Sequence, residues 1–342
     1  MYIMCKKNNK IDYVDFVRAI SIIGIFFCHY FMFGSLEGVG MLGRFLAGTF
    51  NIVFFCISAL LFGLSWERKG RTSFSYRAFM SKRIIRLASS YWPCLILVFA
   101  GFVFLGVKFG LKDVILNTFF LAWFCKMPGV GHFWFVTMIV FCYLSFILLS
   151  KYQILRNLYS CGGGYLIALI FICCTIEYGM DRMKLPGLMI GVLLITGFVF
   201  VNASGILTVA EKNKLVITTM SLTFTSLTIA LLYMGWYELH RTTSYILMNV
   251  CGLLWFMALL GFGMNIGCTK VIKTLSVYSY EIYLVHHSFC TGPWSVYHIT
   301  KDPFWALVLI IIATTLIAVP LHVLGNKIYS TINRNFYAKC SN

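Results

Sequence analysis

Charge is scarce in this chain, and acidic charge most of all: 11 Asp and Glu stand among 342 residues, and all charged residues together make up 11%. Soluble domains carry about a quarter charged residues. Proline is also rare, at 6, so little interrupts the long apolar runs. No cysteine pair has the C-x-x-C spacing of a metal or redox site, although there are 13 cysteines. Most of them lie inside apolar runs and read as small apolar residues, which excludes a disulfide framework. The N-terminus has no small-residue cleavage pattern, so the first hydrophobic run is expected to be retained.

What is present is hydrophobic surface: 60% of the residues, with a mean hydropathy of +0.85. No soluble fold hides that much apolar surface at this length, so the class is an all-α, polytopic helical membrane protein. The apolar runs are continuous rather than alternating, which excludes a β-barrel. At about 20 residues per span, ten spans are expected, at 13–33, 44–66, 88–107, 132–150, 164–180, 186–203, 215–235, 244–264, 275–296 and 303–325. The stretch 108–131 is apolar but short, and reads as an interfacial helix or a re-entrant piece. Residues 1–12 and 326–342 are expected to be cytoplasmic tails around one transmembrane domain, 13–325, with no soluble domain appended.

The formal net charge of +17 fits this class without nucleic acid as a partner. Lys and Arg collect in cytoplasmic segments, where they also meet anionic lipid. With both termini cytoplasmic, most basic residues fall inside, including the seven in "ERKGRTSFSYRAFMSKRIIR". That orientation suits a multi-pass protein of the cytoplasmic membrane. No internal repeat is visible, which disfavours an inverted-repeat transporter.

Ionisable residues inside spans mark function by default. In "RAISIIGIFFCHY", Arg18 and His29 are eleven residues apart. An α-helix turns about 1100° over that distance, three turns plus roughly 20°, so both lie on nearly one face, about 16 Å apart. Asp15 precedes Arg18 by three residues and is placed to pair with it. The plain alternative is an arginine snorkelling to the interface and a histidine bonding a neighbouring helix. Arg83 and Arg86 in "KRIIRL" share a helix face and suit phosphate oxygens, although positive-inside topology also accounts for basic residues there. The ninth span, "SVYSYEIYLVHHSF", holds Glu281, His286 and His287, too many ionisable groups for packing alone. Glu281 and His286, five apart, are not strictly on one face. His132 and Trp134 in "GHFWFVTM" read, taken alone, as interfacial anchors.

Together these segments resemble the acyltransferase-3 family of membrane acyltransferases. The R-x10-H of Arg18 and His29 resembles its first span, and the R-x-x-R of Arg83 and Arg86 its cytoplasmic motif. "HFWFV" and "SVYSYEIYLVHHSF" resemble two further segments. The resemblance covers 13–325 and lacks the extracytoplasmic SGNH-type domain of fused members. It implies transfer of an acyl group from acetyl-CoA or another acyl-CoA to a hydroxyl of an extracytoplasmic glycan or lipid-linked sugar, with no metal. It implies His29, His286 and Glu281 as catalytic, Arg18, Arg83 and Arg86 on the donor, and His132 and Trp134 on the acceptor. A buried neutral imidazole at His29 serves as general base or takes the acyl group itself; the sequence leaves both open. A polysaccharide or lipid-linked-sugar flippase, lining a pathway with the same polar groups, is the reading from another class.

Overall fold

The computed structural model describes residues 12–338, apart from 35, 37, 126, 154–155, 158–186, 240 and 267. Among the described residues every regular element is helical. The helices are α1 (Asp12–Phe33), α2 (Gly40–Ser73), α3 (Tyr76–Phe104), α4 (Leu111–Thr118), α5 (Trp134–Lys151), α6 (Gly187–Val201), α7 (Ala203–Lys212), α8 (Lys214–Tyr233), α9 (Arg241–Ile266), α10 (Lys270–Cys290) and α11 (Pro303–Ala338). Short helical turns lie between some of them.

Among the described residues seven helices are long and apolar enough to cross a membrane, or eight if α6 and α7 form one broken span. These two meet at a bend of 84° around Asn202, whose side-chain amide donates to the Phe198 carbonyl at 3.0 Å. The count of ten is therefore not reached among the described residues. The expected span 164–180 lies outside them. The expected ninth span does form a helix, α10, but its histidines, glutamate and serines keep it below the apolar level of the others. The stretch 108–131 contains α4, of 8 residues, and a short 3-10 turn at Ala122–Phe124. Neither is long enough to span.

The basic segment at 67–86 is largely helical. α2 continues to Ser73 and α3 begins at Tyr76. Ser75 caps α3 by accepting from the Ala78 amide at 3.3 Å, which satisfies a donor that the helix start leaves open. Arg83 and Arg86 therefore stand within α3. The expected boundary of the C-terminal tail at 326 also falls inside a helix, since α11 runs on to Ala338.

The described residues divide into two compact units. One lies within Met1–Gly24, Phe45–Ser65 and Ile154–Ser279; the other within Ile25–Arg44, Trp66–Gln153 and Tyr280–Asn342. In the first, α9 packs against α8, α7 and α6. Gly63 lets α2 approach α6 closely: a Cβ there would stand 2.4 Å from the Phe200 carbonyl oxygen. In the second, α3 packs on α11 and α5. Its core includes Tyr91, Phe102, Phe133, Val136, Leu284 and Leu321, and this core holds the C-terminal half of α10 in place.

Candidate functional site: a buried cluster of four histidines

His29, His132, His286 and His287 come together in the second unit. All four are buried, His286 completely. Ring centroids lie 4.4 Å apart for His29 and His287, 4.5 Å for His132 and His287, and 4.9 Å for His29 and His286. Phe26 stacks on His286 at 5.8 Å and Phe33 on His29 at 6.2 Å. Adjacent positions on a helix are about 100° apart, so His286 and His287 reach the cluster from two neighbouring sides of α10.

Hydrogen-bond inventory fixes the tautomers. The Nδ1 of His286 lies 2.8 Å from the Ile282 carbonyl and 3.0 Å from that of Tyr283. A carbonyl only accepts, so this nitrogen carries the proton, and neutral His286 has a bare Nε2. That Nε2 lies 2.8 Å from His29 Nδ1, which must then donate. His29 is left with an unprotonated Nε2, and no side chain or carbonyl among the described residues bonds that atom. The order is thus carbonyl, His286, His29, and a lone pair at the end.

The other two histidines follow the same rule. The Nε2 of His132 donates to the Leu284 carbonyl at 2.9 Å. Its Nδ1 is then a bare acceptor, buried and without a hydrogen-bond partner among the described residues. Tyr283 also donates its hydroxyl to the His132 carbonyl at 2.7 Å, so backbone and ring of His132 are both tied to α10. The Nδ1 of His287 donates to the Gly129 carbonyl at 3.0 Å, a carbonyl that also accepts from Ser288 Oγ at 2.9 Å. Gly129 has φ +74° and Gly292 φ +86°, and a Cβ on Gly292 would stand 2.4 Å from Gly129 Cα. Two glycines are needed where these chain segments touch.

Three imidazoles therefore present bare nitrogens, and their N–H groups are spent on carbonyls or on each other. Such a cluster accepts hydrogen bonds and offers none while it stays neutral. It suits a hydroxyl that must give up a proton. Among the described residues no three His, Cys, Asp or Glu side chains converge as a metal site requires.

The remaining expected site residues lie elsewhere. Glu281 has other partners: Ser90 Oγ donates to its Oε1 at 2.7 Å, and His322 Nδ1 lies 3.1 Å from its Oε2. Arg18, in the first unit, bonds Asp15 at 3.2 Å, as its spacing anticipates, and Ser276 at 3.1 Å; Ser276 also donates to Asp15 at 2.6 Å. Arg86 is exposed, bonded to Asn326, with its guanidinium 5.2 Å from the Tyr329 ring. Arg83 lies 5.2 Å from the Phe79 ring. Trp134 packs edge to face on Trp123 at 5.6 Å.

The sequence leaves open which of His286 and His287 faces the site, and it marks no role for Ser90, His322 or Asn326. Only the i, i+4 spacing of His322 and Asn326 on α11 hinted at a shared polar face.

A family model described as an acyltransferase domain, Acyl_transf_3, matches residues 11–323. No curated protein and no solved structure matches the chain.

Proposed function

The chain belongs to the acyltransferase-3 family and is a membrane acyltransferase; from that premise we propose that it transfers an acyl group, acetyl by preference, from acyl-CoA at the cytoplasmic face to a hydroxyl of an extracytoplasmic or lipid-linked glycan. The observation that carries this reading is the bare Nε2 of His29, left by the bond from its Nδ1 to His286. A base in that state accepts a hydroxyl proton as the oxygen attacks the thioester carbonyl.

The balance is simple. His29 Nε2 takes the acceptor's proton, the new C–O bond forms and the C–S bond breaks. His29 then returns the proton to the CoA thiolate and is neutral again. The imidazolium formed midway keeps its Nδ1–H on His286, which keeps its own on the carbonyls, so nothing reorganises at the moment of transfer. His132, with its bare Nδ1, orients the acceptor hydroxyl. Trp134 supplies an apolar wall of the kind that packs on a sugar face. The acceptor-only character of the cluster supports direct transfer over an acyl-histidine, because it suits a hydroxyl better than a carbonyl oxygen.

Arg83 and Arg86 hold the phosphates of the donor. A guanidinium has five N–H groups, and the bond from Arg86 to Asn326 leaves several for an anion. Arg18 is assigned to the donor as well.

Reconstitution in vesicles of known orientation separates this reading from transport. With labelled acetyl-CoA on the arginine side and glycan acceptor on the other, the protein alone is expected to label the acceptor. Movement of unmodified glycan that survives both omission of acetyl-CoA and His29→Ala, with no acyl product when acetyl-CoA is supplied, would overturn the assignment in favour of a flippase.

A further inference from the structure

A chain of side chains in the second unit runs from the exposed Arg86 to the buried Glu281. Arg86 Nη1 bonds Asn326 Oδ1. Asn326 Nδ2 lies 2.7 Å from His322 Nε2. His322 Nδ1 lies 3.1 Å from Glu281 Oε2, and Ser90 Oγ bonds Glu281 Oε1 at 2.7 Å. The direction of every link follows from the first. Arginine can only donate, so it faces the amide oxygen of Asn326. The amide nitrogen therefore faces His322 and donates to its Nε2. Neutral His322 then carries its proton on Nδ1, the nitrogen 3.1 Å from the Glu281 carboxylate, a close contact rather than an aligned hydrogen bond. Two hydrogen bonds that donate the same way thus run from the guanidinium through Asn326 to His322, and His322 stands against the carboxylate.

The backbone is arranged to permit this. Gly325 lies beside Asn326, and a Cβ there would stand 2.3 Å from Ser90 Oγ. α11 thus comes close enough to α3 for Asn326 to reach Arg86. Glu281 is 3% exposed and His322 8%, and a buried carboxylate in an apolar bundle persists only with partners. Here its partners end on a guanidinium at the surface.

We propose that Asn326 is a positioning residue for Arg86, with the Glu281–His322 pair as its buried anchor. The chain holds one edge of the guanidinium in a fixed direction while the ring of Tyr329 covers a face. The remaining N–H groups are presented to an anion without loss of side-chain freedom on binding. Glu281 then serves the donor side of the reaction through Asn326 and Arg86, rather than the histidine cluster. The proposal rests on the reading that Arg86 binds donor phosphate.

The test is a double-mutant cycle on the purified full-length protein, with CoA itself as the titrated probe. Asn326→Leu keeps the shape and removes both polar atoms. It is expected to weaken CoA binding roughly 3- to 10-fold, and to raise KM for acyl-CoA with kcat and the acceptor KM unchanged. Asn326→Asp, which still accepts from Arg86, is expected to restore most of the affinity. On an Arg86→Ala background, Asn326→Leu should have no further effect. A loss of equal size on that background would show a general structural role and overturn the proposal. So would wild-type affinity in Asn326→Leu beside a clear loss in Arg86→Ala. Unchanged affinity in Arg86→Ala would remove the donor site itself, and the positioning role with it.

Discussion

His29 Nδ1 stands 2.8 Å from His286 Nε2, and the carbonyls of Ile282 and Tyr283 behind His286 decide which of the two gives the proton. His286 thus has a defined task, to hold His29 in the tautomer whose Nε2 is bare. His286→Phe keeps an aromatic ring in the stack with Phe26 and removes the acceptor. Acyl transfer should fall at least 100-fold in kcat, within the range general-base assistance contributes, while CoA affinity stays at the wild-type value. Steady-state kinetics together with CoA titration check both halves. A variant that keeps most of its kcat would dismiss the relay.

The acceptor side is tested at His132. Its Nε2 is tied to Leu284 and its Nδ1 is buried and bare. His132→Phe should raise the acceptor KM about tenfold, the worth of one hydrogen bond of roughly 1.4 kcal/mol. Donor KM should not move. A selective rise in donor KM would reassign His132 to the thioester.

For the donor side, charge-assisted hydrogen bonds contribute about 1.5–3 kcal/mol each. Arg86→Ala should therefore weaken acyl-CoA binding roughly 10- to 100-fold, with Arg83→Ala in the same direction. The comparison of CoA with its dephosphorylated pantetheine fragment is informative. Loss of discrimination between them in the variants is the expected result, and retained discrimination counts against phosphate contact.

Gly292 links stability to the site. Its φ of +86° is unfavourable for other residues, and a Cβ would press on Gly129, whose carbonyl orients His287. Gly292→Ala should destabilise the protein by about 1–3 kcal/mol and lower kcat. Thermal melting in detergent and turnover measure the two effects. A melting curve like that of the wild type would show that the segments separate at no cost.

Much of this was legible in the sequence, for physical reasons that can be named. Long uncharged apolar runs have one solution in a bilayer. The helical period placed Asp15 beside Arg18, and Arg83 and Arg86 on one face. Five residues turn a helix about 140° beyond a full turn, so Glu281 and His286 were bound to diverge, and the structure sends them to separate clusters. His132 was different. It sits in a 3-10 turn at Gly131–Phe133, after a segment with no periodic pattern to read. Its bonds to Tyr283 and Leu284 cross 151 and 152 positions of sequence. The chain through His322 and Asn326 was hidden likewise, because its links join three helices that local spacing cannot pair.

The central claim is that the bare Nε2 of His29 is the base for acyl transfer. The direct measurement is the single-turnover rate of acetyl transfer by purified His29→Gln, on protein shown to be folded and to bind CoA as the wild type does. A fall of 100-fold or more with CoA affinity intact is predicted. Transfer near the wild-type rate by such a protein would contradict it and leave His29 as a packing residue.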